Sequence, residues 1–182
     1  MFGPTIEAGK DHQGEPVTLD QPKPEYFDTF VPWLNDPEVM QHLNPAWEVV
    51  SRINEEINYT ESKLSLDDIN WTILLDNRPV GAAWLNEIDH VNKSASLGVM
   101  IGDKNCWKKG LGTLVCKAVI NHGFIDSGIE IIHIAFTEEN RGSHAIAEKL
   151  GFNLLQGRAN FTDGLDYPGW DGTLTKDQWR KL

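Results

Sequence analysis

A change of hydrophobic period in the middle of the chain constrains the fold more than any other feature. In residues 70–88, NWTILLDNRPVGAAWLNEI, two β-rich runs flank Asp76-Asn77-Arg78-Pro79, a hairpin signal, and SASLGVMIG at 94–102 continues the meander. The period then becomes helical. In CWKKGLGTLV, residues 106–115, two lysines precede two glycines, and Leu111, Leu114, Val115, Ala118, Val119 and His122 follow at i, i+3, i+4, i+7, i+8 and i+11, one apolar stripe. EIIHIAF at 130–136 reads as a short buried strand, NRGSHAIAEKLGF at 140–152 as a helix closed by Gly151, and NLLQGRANF (153–161) and DGTLT (171–175) as late strands. An antiparallel meander followed by alternating helix and strand predicts an α/β (α+β) fold with a mixed sheet.

Upstream, EPVTLD at 15–20 reads as an early strand, and QPKPEYFDTFVPWLNDPEVMQHL at 21–43 as two short helices interrupted by Pro32 and Pro37. Residues 48–62 form a third helical candidate, polar enough to be exposed on one side and to cover a site. Pro and Gly are scattered rather than pooled into a linker, and 182 residues at 40% hydrophobic composition suit one globular domain over 1–182.

The glycine turn is suited to an anion. Glycines let the backbone turn sharply and approach a ligand, and the first N–H groups of the helix behind them lack partners. With Lys104, Lys108, Lys109 and Lys117 nearby against only Asp103, the expected guest is a phosphate or pyrophosphate. KKGLGT lacks the spacing of a Walker loop, and the three glycines and following acid of a dinucleotide fingerprint are also missing.

A net charge of −11 argues against nucleic acid as main partner and suits either solubility alone or a cationic substrate. No apolar run is long enough to span a membrane, and MFGPTIEAGKDHQGEP lacks a secretory pattern, so a soluble, cytoplasmic protein is expected. The two cysteines, Cys106 and Cys116, are expected to be reduced thiols, and no metal site is expected from them.

Taken together, CWKKGLGT after a third meander strand, the strand EIIHIAF, and EENRGSHAIAEKLGF resemble the GNAT acetyltransferases over almost the whole chain. FVPWLNDPEVMQHL and LTKDQW make the RimJ/RimL-type branch the nearest resemblance, with Trp107 in the place usually held by Gln or Arg. The resemblance implies a GNAT fold with a mostly antiparallel central sheet and a splayed strand pair holding acetyl-coenzyme A. It places the pantetheine arm along Val99, Met100 and Ile101. The pyrophosphate falls to Trp107, Lys108, Lys109, Gly110, Leu111, Gly112 and Thr113, and Asn140 and Ser143 are further cofactor ligands. On propensity alone, Asn140 could equally be a helix cap.

The implied reaction is direct transfer of an acetyl group to a primary amine through a tetrahedral intermediate, with no metal. An amine with a pKa near ~10.4 must lose a proton, whereas a thiol with a pKa of about 8.5 leaves with modest help. A backbone N–H near Val99 or Met100 is the natural oxyanion donor. The tyrosine acid of many family members falls on Ala147 and the common glutamate on Ser96, so neither role carries over. Ser143 becomes the candidate acid, or only a ligand to the cofactor or helix backbone. Asn86 is the candidate that orients the amine. It shares a strand face with Trp84, while Glu87 lies on the other; Glu87 or Asp89 becomes a base candidate if the strand bulges. His133 reads as a core histidine, and His90 and His144 are further candidates.

The acceptor is either a small amine, cationic in keeping with the acidic surface, or a protein N-terminus. Trp33 and Trp47 could wall its pocket, with Trp33 read as core. The alternative is a non-catalytic acyl-coenzyme A binding or sensing protein, motivated by Ala147 and Ser96. The late strands could leave an edge for a homodimer.

Overall fold

The computed structural model describes residues 1–41, 43, 48–160 and 166–182. The strands are β1 (Ile6–Lys10), β2 (Pro16–Asp20), β3 (Ile69–Leu75), β4 (Arg78–Asp89), β5 (Ser94–Ile101), β6 (Ile131–Thr137), β7 (Asn153–Asn160) and β8 (Asp166–Thr175). The helices are α1 (Phe27–Leu34), α2 (Pro37–Met40), α3 (Arg52–Leu64), α4 (Leu111–Ile125), α5 (Arg141–Lys149) and α6 (Lys176–Trp179). The strands form one sheet in the order β1-β2-β3-β4-β5-β6-β8-β7. Every neighbouring pair is antiparallel except β5 and β6. This is the mixed, mostly antiparallel sheet that the period pattern and the resemblance predict.

Hydrophobic burial explains the layer on one face. The α4 stripe buries Leu111, Val115 and Val119 to 1% exposure or less, against Trp71, Ile73, Leu85 and Ile132. Because strand side chains alternate, the neighbouring residues of β4 and β5 point the other way. There Met100 joins Phe30 and Val39 in a second cluster, with Trp33, Trp84 and Trp107 packed around it.

Several boundaries differ from the sequence reading. Helix α1 runs through Pro32, and the chain breaks instead at Asn35–Asp36, where the Asp36 side chain accepts from Glu38 N and caps α2. The hairpin turns at Asp76 and Asn77, both at positive φ, so Arg78 and Pro79 already belong to β4. Strand β1 was not anticipated; its few apolar residues, Ile6 and Ala8, pack on the core, and a register irregularity between Glu7 and Gly9 interrupts its alternation. Of the late strands only β7 lies at an edge, because β8 is paired on both sides.

Candidate active site

Strands β5 and β6 pair in parallel over only three rungs, Ser94–Ile131, Ala95–Ile132 and Ser96–His133, and then separate. On the far side of β5, Gly102 N donates to Val80 O, and antiparallel alternation turns the backbone groups of Met100 and Gly98 toward β4 in the same way. Those of Leu97, Val99 and Ile101 therefore face the opening. Of the expected pantetheine contacts, Val99 presents both backbone groups to the gap. The Ile101 carbonyl is already occupied, accepting from Trp107 Nε1 at 2.7 Å, and Met100 faces away.

The glycine turn caps this opening. Gly110 is the N-cap of α4 at φ +81°, and Lys108 adopts φ +61°. A side chain at Gly110 would also collide with the His12 imidazole, since a Cβ there would stand 2.3 Å from Nε2. The N–H groups of Leu111, Gly112 and Thr113 have no hydrogen-bond partner among the described residues, as expected for a helix start. Gly112 has a packing role as well: a Cβ there would stand 2.7 Å from Ile146 Cδ1 of α5. The charge is narrower than the lysine count suggested. Lys104 Nζ is paired with Asp36 (2.7 Å) and Glu38 (2.8 Å), which raise its pKa and commit it to α2. Lys108 and Lys109 remain beside the turn. His12, on the β1–β2 connection with its N–H 3.4 Å from Lys109 O, was missed by the sequence reading, because nothing local links residue 12 to residue 110.

Asn140 caps α5, its Oδ1 accepting from Ser143 N at 3.0 Å. Ser143 is half-buried in the first turn of that helix. Ala147 is buried in the core, and the His144 ring is wedged edge-on between Phe136 and Trp170.

The largest departure is at Glu87. Strand β4 bulges between Asn86 and Asp89, with Glu87 at φ +52°. The bulge cancels the alternation that set Glu87 opposite Asn86. Its Oε2 accepts from Ser96 Oγ at 2.9 Å, and Ser96 is the cross-strand partner of Asn86. A carboxylate thus reaches the place on β5 where the sequence has only a serine. His133 pairs with Ser96 from β6 and is half-buried, so Asn86, Ser96 and His133 form one polar row at the last rung before the strands separate. The core reading of His133 is therefore corrected. Its strand parity relative to fully buried Ile132 was the available signal. Asp89 is not free to act as a base: it accepts from Val91 N, Asn92 N and Asn92 Nδ2, which hold its carboxyl below the usual range. His90 lies outside the row, 3.4 Å from Asp67.

Trp84 occupies the centre of the same face, its ring over Gly98. Trp33 packs on Gly102 and on Phe30, as core, and Trp47 lies outside the described residues. The thiols of Cys106 and Cys116 are both buried and in no disulfide, Cys106 Sγ accepts from Arg78 Nη2 at 3.9 Å, and burial pushes Cys116 up to about 12. Among the described residues no cluster could hold a metal ion, and no helix is long and apolar enough to cross a membrane.

Residues 17–153 match the family described as the acetyltransferase (GNAT) domain. The chain belongs to the GNAT acetyltransferases. It is 28% identical over 117 residues to YdaF of Bacillus subtilis (strain 168), whose name proposes a ribosomal N-acetyltransferase; the match covers 63% of each chain. Among solved structures it resembles spermidine N-acetyltransferase from Vibrio cholerae, with TM-score 0.79 and 15% identity over 90% of this chain and 98% of that one. RimJ of Mycobacterium smegmatis gives TM-score 0.76 at 17% identity, covering 97% and 87%. At these identities the structures share the GNAT fold with this chain. The matched residues include β5, β6 and the opening between them, and the chain spans about 63% of the length of the curated relative.

Proposed function

We propose that the protein transfers an acetyl group from acetyl-coenzyme A directly to a primary amine, with Glu87 as the proton acceptor. The carrying observation is the Glu87–Ser96 hydrogen bond at the β4 bulge, beside the opening between β5 and β6. The residues present suit the coenzyme. Unpartnered N–H groups at Leu111, Gly112 and Thr113, with Lys108 and Lys109, match a pyrophosphate, and the outward backbone of Val99 matches an amide-bearing arm. Trp107, Gly110, Asn140 and Ser143 shape the same cradle, while Met100 and Ile101 act more through packing and the Trp107 bond. The coenzyme supplies an activated acyl group on a thioester, and the solved Vibrio cholerae structure of the same fold holds coenzyme A with spermine.

The chain's own groups divide the remaining work. Ser96 Oγ fixes Glu87 Oε2, leaving Oε1 to accept the amine proton directly or through one water. Asn86, on the same rung as Ser96, orients the nitrogen. The Val99 N–H, turned away from β4, donates to the oxygen where negative charge develops, a role that Met100 N–H cannot take from the other side of the strand. Ser143 stands at the start of α5 as a donor to the leaving sulfur or to the coenzyme. The acceptor is a small cationic amine or a protein N-terminus.

The reading is tested by thiol release from acetyl-coenzyme A across polyamines, aminoglycosides, amino acids and peptides. On the amine that turns over, Glu87→Gln should lower kcat about 100-fold while coenzyme A affinity stays unchanged. Full turnover by Glu87→Gln would overturn the assignment.

A further inference from the structure

Helix α3 is packed the wrong way round for a helix that merely covers a sheet. Its apolar residues Ile53, Ile57 and Leu64 face solvent at 69%, 49% and 75% exposure, and none of its residues is buried. The face it turns inward is polar. Glu55, Asn58, Tyr59 and Ser62, at i, i+3, i+4 and i+7, line a cavity of about 120 Å³ between α1, α3 and strand β3. Rotating the helix would bury the isoleucines, so other contacts hold it as it is. Ser51 and Asn54 form a capping box, Arg52 pairs with Asp28 and Glu56, and the Tyr59 ring is lodged between Phe2 and Phe27 at 5.0 and 5.5 Å. A polar interior face of this kind forgoes hydrophobic stabilisation unless a ligand occupies the space.

The walls define that ligand. Tyr26, Phe27 and Tyr59 supply aromatic surface, and Glu55 supplies a carboxylate with no basic partner among the described residues. Lys23, at the rim, is neutralised by Asp20 at 2.7 Å. A cavity of roughly 150 Å³ is known to admit a benzene-sized guest, so the space here suits the end of an alkyl-ammonium chain. Its floor, Asn70 and Thr72 of β3, lies on the same sheet face as Trp84 and Asn86, with Asn70 paired to Trp84 and Trp84 to Gly98. From β3 to β5 is two strand spacings, about 10 Å, which an extended diamine bridges.

We infer that this cavity holds the second cationic group of an organic diamine, with Glu55 as its counter-ion, while the first amine reaches the opening between β5 and β6. The inference rests on the proposed amine acetylation for the second half of that statement only. Burial already raises the Glu55 carboxyl above its usual range, partly offset by Asn58, as expected for a carboxylate awaiting a cation. The net charge of −11 attracts such a ligand.

The test combines binding with turnover. Calorimetry in the presence of coenzyme A measures the affinity of α,ω-diaminoalkanes of increasing length for the protein and for Glu55→Gln. Thiol release compares each diamine with the ω-amino alcohol of equal length. Glu55→Gln should weaken diamine binding about tenfold or more and erase a similar diamine preference over the amino alcohol in kcat/KM. An unchanged coenzyme A affinity reports an intact fold. Glu55→Lys, which puts the protein's own cation in the cavity, should give the same loss. Equal diamine affinity in Glu55→Gln and the unaltered protein would overturn the inference. Glu55-dependent binding without acetylation of any amine would uphold the cation site and count against the proposed reaction instead.

Discussion

Helices α4 and α3 cover opposite faces of the same sheet under opposite rules. In α4 the apolar stripe is turned inward and Leu111, Val115 and Val119 vanish from solvent. In α3 the apolar residues point outward, while half-buried Glu55, Tyr59 and Ser62 line the cavity toward the sheet. The first arrangement is what burial energetics alone would select. The second shows where burial has been set aside, and the two halves of the proposed reaction divide along the same line. The proposed coenzyme side is made of backbone: a helix start, a left-handed glycine and a strand edge turned to the opening. The proposed acceptor side is made of side chains gathered from α1, α3, β3, β4 and β5.

The contrast can be broken most directly by stability. Phe124, on the inward face of α4, is 1% exposed, and Phe124→Ala should cost about 3–5 kcal/mol, lowering the melting temperature by roughly 10 °C or more. The double change Ile53→Ser and Ile57→Ser in α3 should stay within about 0.5 kcal/mol of the unaltered protein, because those side chains are already in water. Denaturant unfolding of both variants decides the matter. A large loss from the α3 pair would mean that something covers its outer face in solution.

The same division explains what the sequence made legible. Backbone-built features follow from local order, so the glycine turn at Gly110 and the α4 stripe behind it can be read from residues 106–122 alone. The acceptor side could not be read that way. Period two sets Glu87 opposite Asn86 unless the strand bulges; the strand does bulge there, and no residue around Asn86 announces it. His133 was hidden by the isoleucines on either side of it. His12 and Glu55 depend on contacts between residues far apart in the chain, which no local pattern records. The charge count around the glycine turn failed for a related reason: Lys104 looks like Lys108 in sequence, and only the fold brings Asp36 and Glu38 to it.

The coenzyme side can be sharpened through those lysines. Changing Lys108 and Lys109 together to Met should weaken coenzyme A binding about tenfold at low ionic strength, about 1.4 kcal/mol, with the difference shrinking as salt is added. Lys104→Met should leave that affinity nearly unchanged, since its charge is already spent on α2. Binding measured at two salt concentrations separates the cases. Equal losses from Lys104 and from the Lys108–Lys109 pair would show a diffuse field rather than a local cradle.

The smallest expected effect bears on the acceptor side and depends on pH. Burial raises the Glu55 carboxyl in the folded protein, whereas in the unfolded chain it titrates near its usual value of about 4.3. The folded state therefore holds that proton more tightly. Its contribution to stability is fully present below the unfolded value and is lost as pH rises through the folded one. An amide at this position does not ionise, so Glu55→Gln should match the unaltered protein near pH 4 and melt slightly higher at pH 7, a shift kept small because Glu55 is only half-buried and water screens its charge. A saturating diamine should reverse the order at pH 7, since only the carboxylate gains a counter-ion. Melting curves at the two pH values, with and without diamine, report this directly. A variant that is no more stable than the unaltered protein at pH 7 would mean that the inward face of α3 is better solvated than its packing indicates, and the contrast with α4 would then be one of shape alone.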